Sequence, residues 1–381
     1  MKHKVYYGEY SLSHWIALML KQDIVLPPYQ RYFVWDEEAT KRLLLSLKWR
    51  QFIPPVIIGS FDDGTNQQNL ILDGQQRLTS VLLSALGVFP EKAKFNTPVR
   101  SFIDENDDPA SVDGTPDVLC EWTFKELVKG KLAIDDIKAE LDASKYKMVD
   151  YRVGGTFFDT TYLGFCYLIP ENNDQGIQQR YYSTLFRYIN FQGEELSAME
   201  SREALYFLDS SKTDFFRTNF IAGINQKSSR GLSHVDFVRF LALLSDYKTC
   251  NDFGKVAIRA GKRMEAYYED YIYAVVNDDD SARFGKFSLL LPSDQLQQRM
   301  SNLEAAMQVL GMEGNTYASI IYLDIDFFGL VFHILFEGKE LQEDKSVEVK
   351  NKLKVQADKF KKDKNHTKTP SAMIHLRNPH E

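Results

Sequence analysis

The chain has 381 residues, 44% hydrophobic and 26% charged, with a formal net charge of −7. That balance suits a soluble protein of two or three domains with a real core, and argues against a disordered or collagen-like chain. No apolar run reaches the length of a membrane span, the N-terminus has no signal-peptide core, and Cys120, Cys166 and Cys250 form neither a metal spacing nor a disulfide framework, so a cytoplasmic protein without a metal centre is expected.

In chain order, "IVLPPYQRYFVW" (24–35) reads as an extended, proline-bearing segment. "DEEATKRLLLSLKWRQF" follows as an amphipathic helix, with Asp36 as its N-cap. "PPVIIGSF" and "NLILD" read as strands joined by the turn "DDGTNQQ". Leu78, Val81, Leu82, Ala85 and Leu86 then lie on one helix face, and Gly87 marks the stop. The loop "DENDDPASVDGTPD" (104–117) carries six acids in no calcium-loop spacing and reads as a solvated insertion. "YKMVDYRV" and "LGFCYLIP" are further strand candidates. From about Arg180 helices take over: "STLFRYINFQGEELSAMESREALYFL" as two helices, then "LSHVDFVRFLALLSDY", "FGKVAIRAGKRMEAYYEDYIYAVV", "LQQRMSNLEAAMQVLG" and "IIYLDIDFFGLVFHILFEG". In the last, Ile320 to Leu323 also fits a strand. The pattern predicts an α+β N-terminal domain followed by an all-helical C-terminal domain.

Three polar clusters interrupt this scaffold. Asp-Gly-Gln-Gln-Arg (73–77) sits between strand and helix. A capping box with Asp73 as N-cap and Gln76 at N3 accounts for those two residues. It leaves Gly74, at the first helical position, Gln75 and Arg77 without a role. A glycine, free helix N–H groups and a nearby arginine also make a phosphate site, and both readings stand on the residues alone. In "PPYQRYFVW", an extended backbone sends Gln30 and Arg31 to opposite faces. In "INFQGEELSAMESR", Asn190 and Gly193 suit a turn, and Ser197 suits a helix cap with Glu200 at N3.

Charge is uneven. Lys350 to Arg377 holds nine Lys or Arg against two Asp, a net +7, which leaves about −14 on the rest. Lys352, Lys354, Lys361 and Lys362 on this segment are candidate contacts to DNA or an acidic partner, or simply a solvated helix face.

The ordered set P-x-Y-Q-R-x-x-x-W, D-G-Q-Q-R and I-N-x-x-G-x-x-L-S-x-x-E-x-R resembles the GmrSD restriction endonuclease N-terminal domain family over roughly Tyr10 to Leu208. The resemblance implies a core related to the ParB and sulfiredoxin nucleotide-binding fold over 1–208, with an insertion at about 88–150, a helical domain over 209–349 and a basic segment over 350–381. It implies binding and hydrolysis of a nucleoside triphosphate with Mg²⁺, centred on Asp73, Gly74, Gln75, Gln76 and Arg77, with Gln30, Arg31, Asn190 and Glu200 lining the same cleft. By residue chemistry, Arg77 and Arg31 would neutralise phosphate, Gly74 would let backbone N–H groups approach it, Asp73 would act through Mg²⁺ or as a cap, and Gln75 or Gln76 would orient water. Restriction members of the family couple this domain to an HNH-like nuclease. "NHTKTPSAMIHLRNPHE" lacks that centre's His–Asn–His context, so cleavage of DNA is expected to fall to a separate effector. The alternatives are a nucleotide-gated DNA- or protein-binding module without turnover, and a modified-DNA reader or nuclease acting through the ParB-like cleft itself.

Overall fold

The computed structural model describes residues 3–62, 67–95, 99–100, 122–191, 198–228, 231–258, 260, 264–279, 281 and 283–362. The chain divides into two compact units, one of residues 1–97 and 118–210, the other of 98–117 and 211–381. The architecture is mixed α+β. The acidic loop at 104–117 lies outside the described residues.

The first unit is built on a four-stranded sheet of β1 (His3–Ser11), β2 (Val56–Asp62), β3 (Gln67–Asp73) and β4 (Tyr162–Pro170), in the order β1-β4-β2-β3. β1 runs antiparallel to β4, β4 parallel to β2, and β2 antiparallel to β3 with a register shift between Ile57 and Ile58. The short segment at Val25 adds to the free edge of β3, where Val25 N donates to Asn69 O and Ile71 N to Val25 O.

Alternation along the strands feeds two cores. Val56, Ile58 and Ile71 join Leu12, Trp15, Met19, Leu44, Leu78, Val81 and Leu82 on one face. Those partners come from α1 (Leu12–Leu20), α2 (Glu37–Lys48) and α3 (Gln75–Leu86). Leu70, Leu72 and Leu168 turn to the other face and pack on Tyr182 of α4 (Gln175–Phe191). The next helix, α5, spans Ala198–Tyr206.

Gly59 exists for that second contact. A Cβ there would lie 2.5 Å from the Tyr182 ring, whose hydroxyl donates to Ser60 O at 2.6 Å. The N-cap of α2 is as the sequence predicts, since the Asp36 carboxylate accepts from Ala39 N at 2.7 Å.

The second unit departs from the all-helical expectation. It carries a small sheet of β5 (Asn225–Ser228), β6 (Gly231–His234) and β7 (Thr316–Tyr317), with Val99–Arg100 pairing alongside β6. The stretch "LSHVDF" therefore splits. Leu232 to His234 pair as strand, and Asp236 starts α6 (Phe237–Cys250) by accepting from Arg239 N. α7 (Met264–Asn277), α8 (Ser293–Leu310) and α9 (Ile320–Val331) complete the packing, followed by α10 (Ser346–Lys362). Ile320 to Leu323 are helical. Arg239 of α6 holds Asp324 of α9 bidentately at 2.6 and 2.9 Å, both side chains buried, so each charge is satisfied by the other.

Two outcomes are expected. Gly59→Ala forces Tyr182 aside and costs about 1–3 kcal/mol in denaturant unfolding. Burial pushes the Asp326 carboxyl up to about 6, against the Tyr317 hydroxyl pulling it down. The folded state thus holds this proton where the unfolded chain has lost it, and its contribution to stability falls as pH rises from about 4 to 6. Asp326→Asn removes that loss, so thermal unfolding at pH 5 and 7.5 should show the variant gaining on the wild type at the higher pH.

Candidate functional site

The D-G-Q-Q-R turn does not form the capping box. Gly74 is the N-cap of α3, at φ +97°, and no side chain caps the helix. Only glycine fits comfortably in that left-handed conformation, and an added Cβ would meet the Val56 side chain at 3.0 Å. Asp73 and Gln76 are drawn away from the cap by stronger partners. Asp73 Oδ2 accepts from Arg77 Nη2 at 2.6 Å, a charge-assisted bond one helical turn apart.

Gln76 reaches the proline-bearing segment. Its Oε1 accepts from Val34 N at 3.0 Å and Trp35 N at 3.2 Å, and its Nε2 donates to Tyr32 O at 2.9 Å. Arg77 reaches the other proline loop, where Nη1 donates to Pro54 O. The first N–H groups of α3 therefore keep no side-chain acceptor, as the phosphate reading requires. The residues just ahead of α3 do not meet the capping geometry that the same letters suggest.

A cleft of about 810 Å³ opens over this helix start, within the size range of small-molecule sites. Gln30, Arg31, Asp73, Gly74, Gln75, Gln76, Arg77 and Asn190 all line it. Glu200, in the first turn of α5, is not among its lining residues. Lys352 and Lys354 are exposed on α10 in the other unit, and nothing is described of the Lys361 and Lys362 side chains.

Gln30 and Arg31 share the cleft despite the alternate-face argument, because residues 27–36 are a turn and irregular backbone rather than a strand. Gln30 is fixed by donating from Nε2 to Ile71 O at 3.0 Å. Asn190 lies within α4, not in a turn, and donates to Phe186 O at 2.8 Å. Ser197 and Gly193 lie outside the described residues.

Sequence reading missed the wall opposite. Ala39, Arg42, Leu43 and Ser46 of α2 line the cleft, as do Trp35, Phe52 and Pro54. Their i, i+3, i+4, i+7 spacing is visible in the sequence, where an amphipathic helix accounts for it without a ligand. Gln75 Nε2 is buried without a hydrogen-bond partner. Among the described residues no cluster of His, Cys, Asp or Glu could hold a metal ion by itself, and no helix is long and apolar enough to cross a membrane.

The model of the GmrSD restriction endonuclease N-terminal domain matches residues 15–207, just over half of the chain. The chain belongs to that family. The match covers every residue that lines the cleft, and no HNH nuclease domain is shown. Searches of curated proteins and of solved structures find no match. Family membership ties the chain to restriction-like phage defence.

Gln76→Leu is expected to leave Tyr32 O, Val34 N and Trp35 N without their side-chain partner and to cost roughly 2–4 kcal/mol. Urea unfolding of the variant and the wild type measures it.

Proposed function

We propose that the cleft binds a nucleoside triphosphate and hydrolyses it, in a component of a restriction-like defence system that acts with a separate effector. The observation that carries this reading is electrostatic. Three guanidinium groups, Arg31, Arg42 and Arg77, and one carboxylate, Asp73, line a cleft at an uncapped helix start, on a chain of net charge −7. Such a site favours a polyanion over a neutral ligand. The family resemblance to the ParB and sulfiredoxin nucleotide-binding fold over residues 1–208 supports the same assignment, with 209–349 as a helical domain and 350–381 as a basic segment.

The division of labour follows from the bonds described. Gly74 lets the backbone approach phosphate, and Gln30 and Asn190 shape the cleft. Gln76 is committed to backbone. Gln75 is therefore the glutamine assigned to the attacking water, and its buried amide must rotate to meet it. Arg77 holds Asp73 in place. A Mg²⁺ arriving with the nucleotide fits here only as a lightly held ion: it would meet one free carboxylate oxygen, Asp73 Oδ1, and would supply charge neutralisation at the phosphates. Glu200 would then act on the helix that follows α4 rather than on the ligand. A gated binding module without turnover is the second reading, favoured by the closed Asp73–Arg77–Pro54 arrangement.

Phosphate release with ATP, GTP, CTP and UTP, each with Mg²⁺, tests this. The wild type is expected to turn over at least one of them, and a folded Arg77→Ala (checked by circular dichroism) to lose about tenfold or more. Binding without release selects the gated module, and no binding of any nucleotide removes both readings. Charge reversal at Lys352, Lys354, Lys361 and Lys362 is expected to weaken salt-sensitive DNA binding; unchanged binding removes DNA from the partners of this segment.

A further inference from the structure

Two of the three arginines that line the cleft, Arg77 and Arg42, are not equivalent. Arg77 is buried, with Nη2 bonded to Asp73 Oδ2 and Nη1 to Pro54 O. Its charge is answered by the carboxylate beside it, and recruiting it to a ligand would strip both acceptors. Arg77 is the buried partner of this pair and Asp73 is partly exposed, so separating them would leave chiefly the guanidinium desolvated and unpaired. The signature arginine is thus poorly placed to be the main anion ligand.

Arg42 is the opposite case. It projects from the middle of α2, between Ala39 and Ser46 on the strip that lines the cleft, and is exposed. Neighbouring Lys41 is paired with Glu37 and Glu38, whereas Arg42 makes no hydrogen bond or ion pair among the described residues. All five of its donors are available, its charge is uncompensated, and α2 is anchored behind it by Thr40 bonding to Ser80 of α3 at 3.0 Å.

A second observation points the same way. Gln75 Nε2, a donor in the same cleft wall, has no acceptor, while its Oε1 accepts from Gln76 Nε2 at 3.3 Å, which fixes which end is the nitrogen. Arg42 and the uncapped start of α3 line one cleft, and Gln75 Nε2, an unanswered donor, is buried in its wall. An acceptor-rich anion would answer the arginine and the helix start.

We propose that Arg42 is the phosphate-binding residue on the α2 side of the cleft, and that Arg77 is a positioning residue which holds Asp73 and the Pro54 loop. This rests on the nucleotide reading above. The ligand chemistry it implies is a polyphosphate chain gripped across the cleft from α2, facing the N-terminus of α3.

The test is titration calorimetry of the full chain with inorganic tripolyphosphate and with the four nucleoside triphosphates, on wild type, Arg42→Ala, Arg42→Lys and Arg77→Ala. The wild type is expected to bind tripolyphosphate and at least one nucleotide. Arg42→Ala should weaken both about ten- to hundredfold with an unchanged melting temperature, since the side chain supports nothing in the fold, and Arg42→Lys should recover part of the loss. Arg77→Ala should lower the melting temperature, the mark of a positioning role. If the wild type binds and Arg42→Ala binds equally well, the assignment of Arg42 is overturned while the nucleotide reading survives. If the wild type binds neither tripolyphosphate nor any nucleotide, both fall.

Discussion

The Gln76 carboxamide ties three backbone groups of the segment at Tyr32 to Trp35 to the start of α3, and much of the first unit depends on it. Irregular backbone that runs beside a core must find hydrogen-bond partners, because a buried N–H or C=O without one is expensive. Among the described residues, 32–35 pair with no strand, although Phe33 N donates to Trp122 O at 2.9 Å. One planar amide with an acceptor and two donors does the work of a ladder there, and Arg77 does the same for Pro54 in the loop before β2. A single helical turn therefore fixes two loops that line the cleft. A site whose loops are already held loses less freedom when it fills.

The sheet explains why that turn can be so demanding. β3 is flanked by β2 and by the bridge at Val25, and its side chains go alternately to a helical core on either face. The strand that ends at Asp73 is thus held along both edges and packed on both faces. Gly74 then redirects the chain in one step, with its left-handed backbone pressed against Val56. A residue with a side chain would have to push β2 away.

The legible parts of the chain were those where one local period decides the structure. α2 with its Asp36 cap, α3 with its Gly87 stop, β2 and β3 all follow from spacing and end signals. β1 gives no strand signal in the sequence, because Tyr6 and Tyr7 are both largely exposed and an edge strand wet on both faces has no hydrophobic alternation. The hairpin of β5 and β6 departs from the all-helical expectation because its polar residues carry little pattern, and Leu232 to His234 merge in the sequence with the helix that follows. The capping box failed for a different reason. Asp and Gln are good local caps, yet the same groups bind more strongly to a guanidinium and to a distant loop, and sequence spacing does not reveal long-range partners. In the sequence Arg42 is indistinguishable from any solvated arginine on a helix, and only its place on the cleft wall sets it apart.

β4 has a consequence for how the molecule is made. It lies between β1 and β2, so β1 has no other strand to pair with, and Val56 of β2 meets Phe165 of β4 across a long stretch of chain. During synthesis the first strand emerges without a neighbour, and the loop that must close is long enough to slow assembly. The motif at 73–77 is translated early, yet Asn190 completes the cleft wall much later. Until the central strand has arrived, β2 carries an open sheet edge and the tyrosine-rich β1 stays unpaired, and both invite association with other chains.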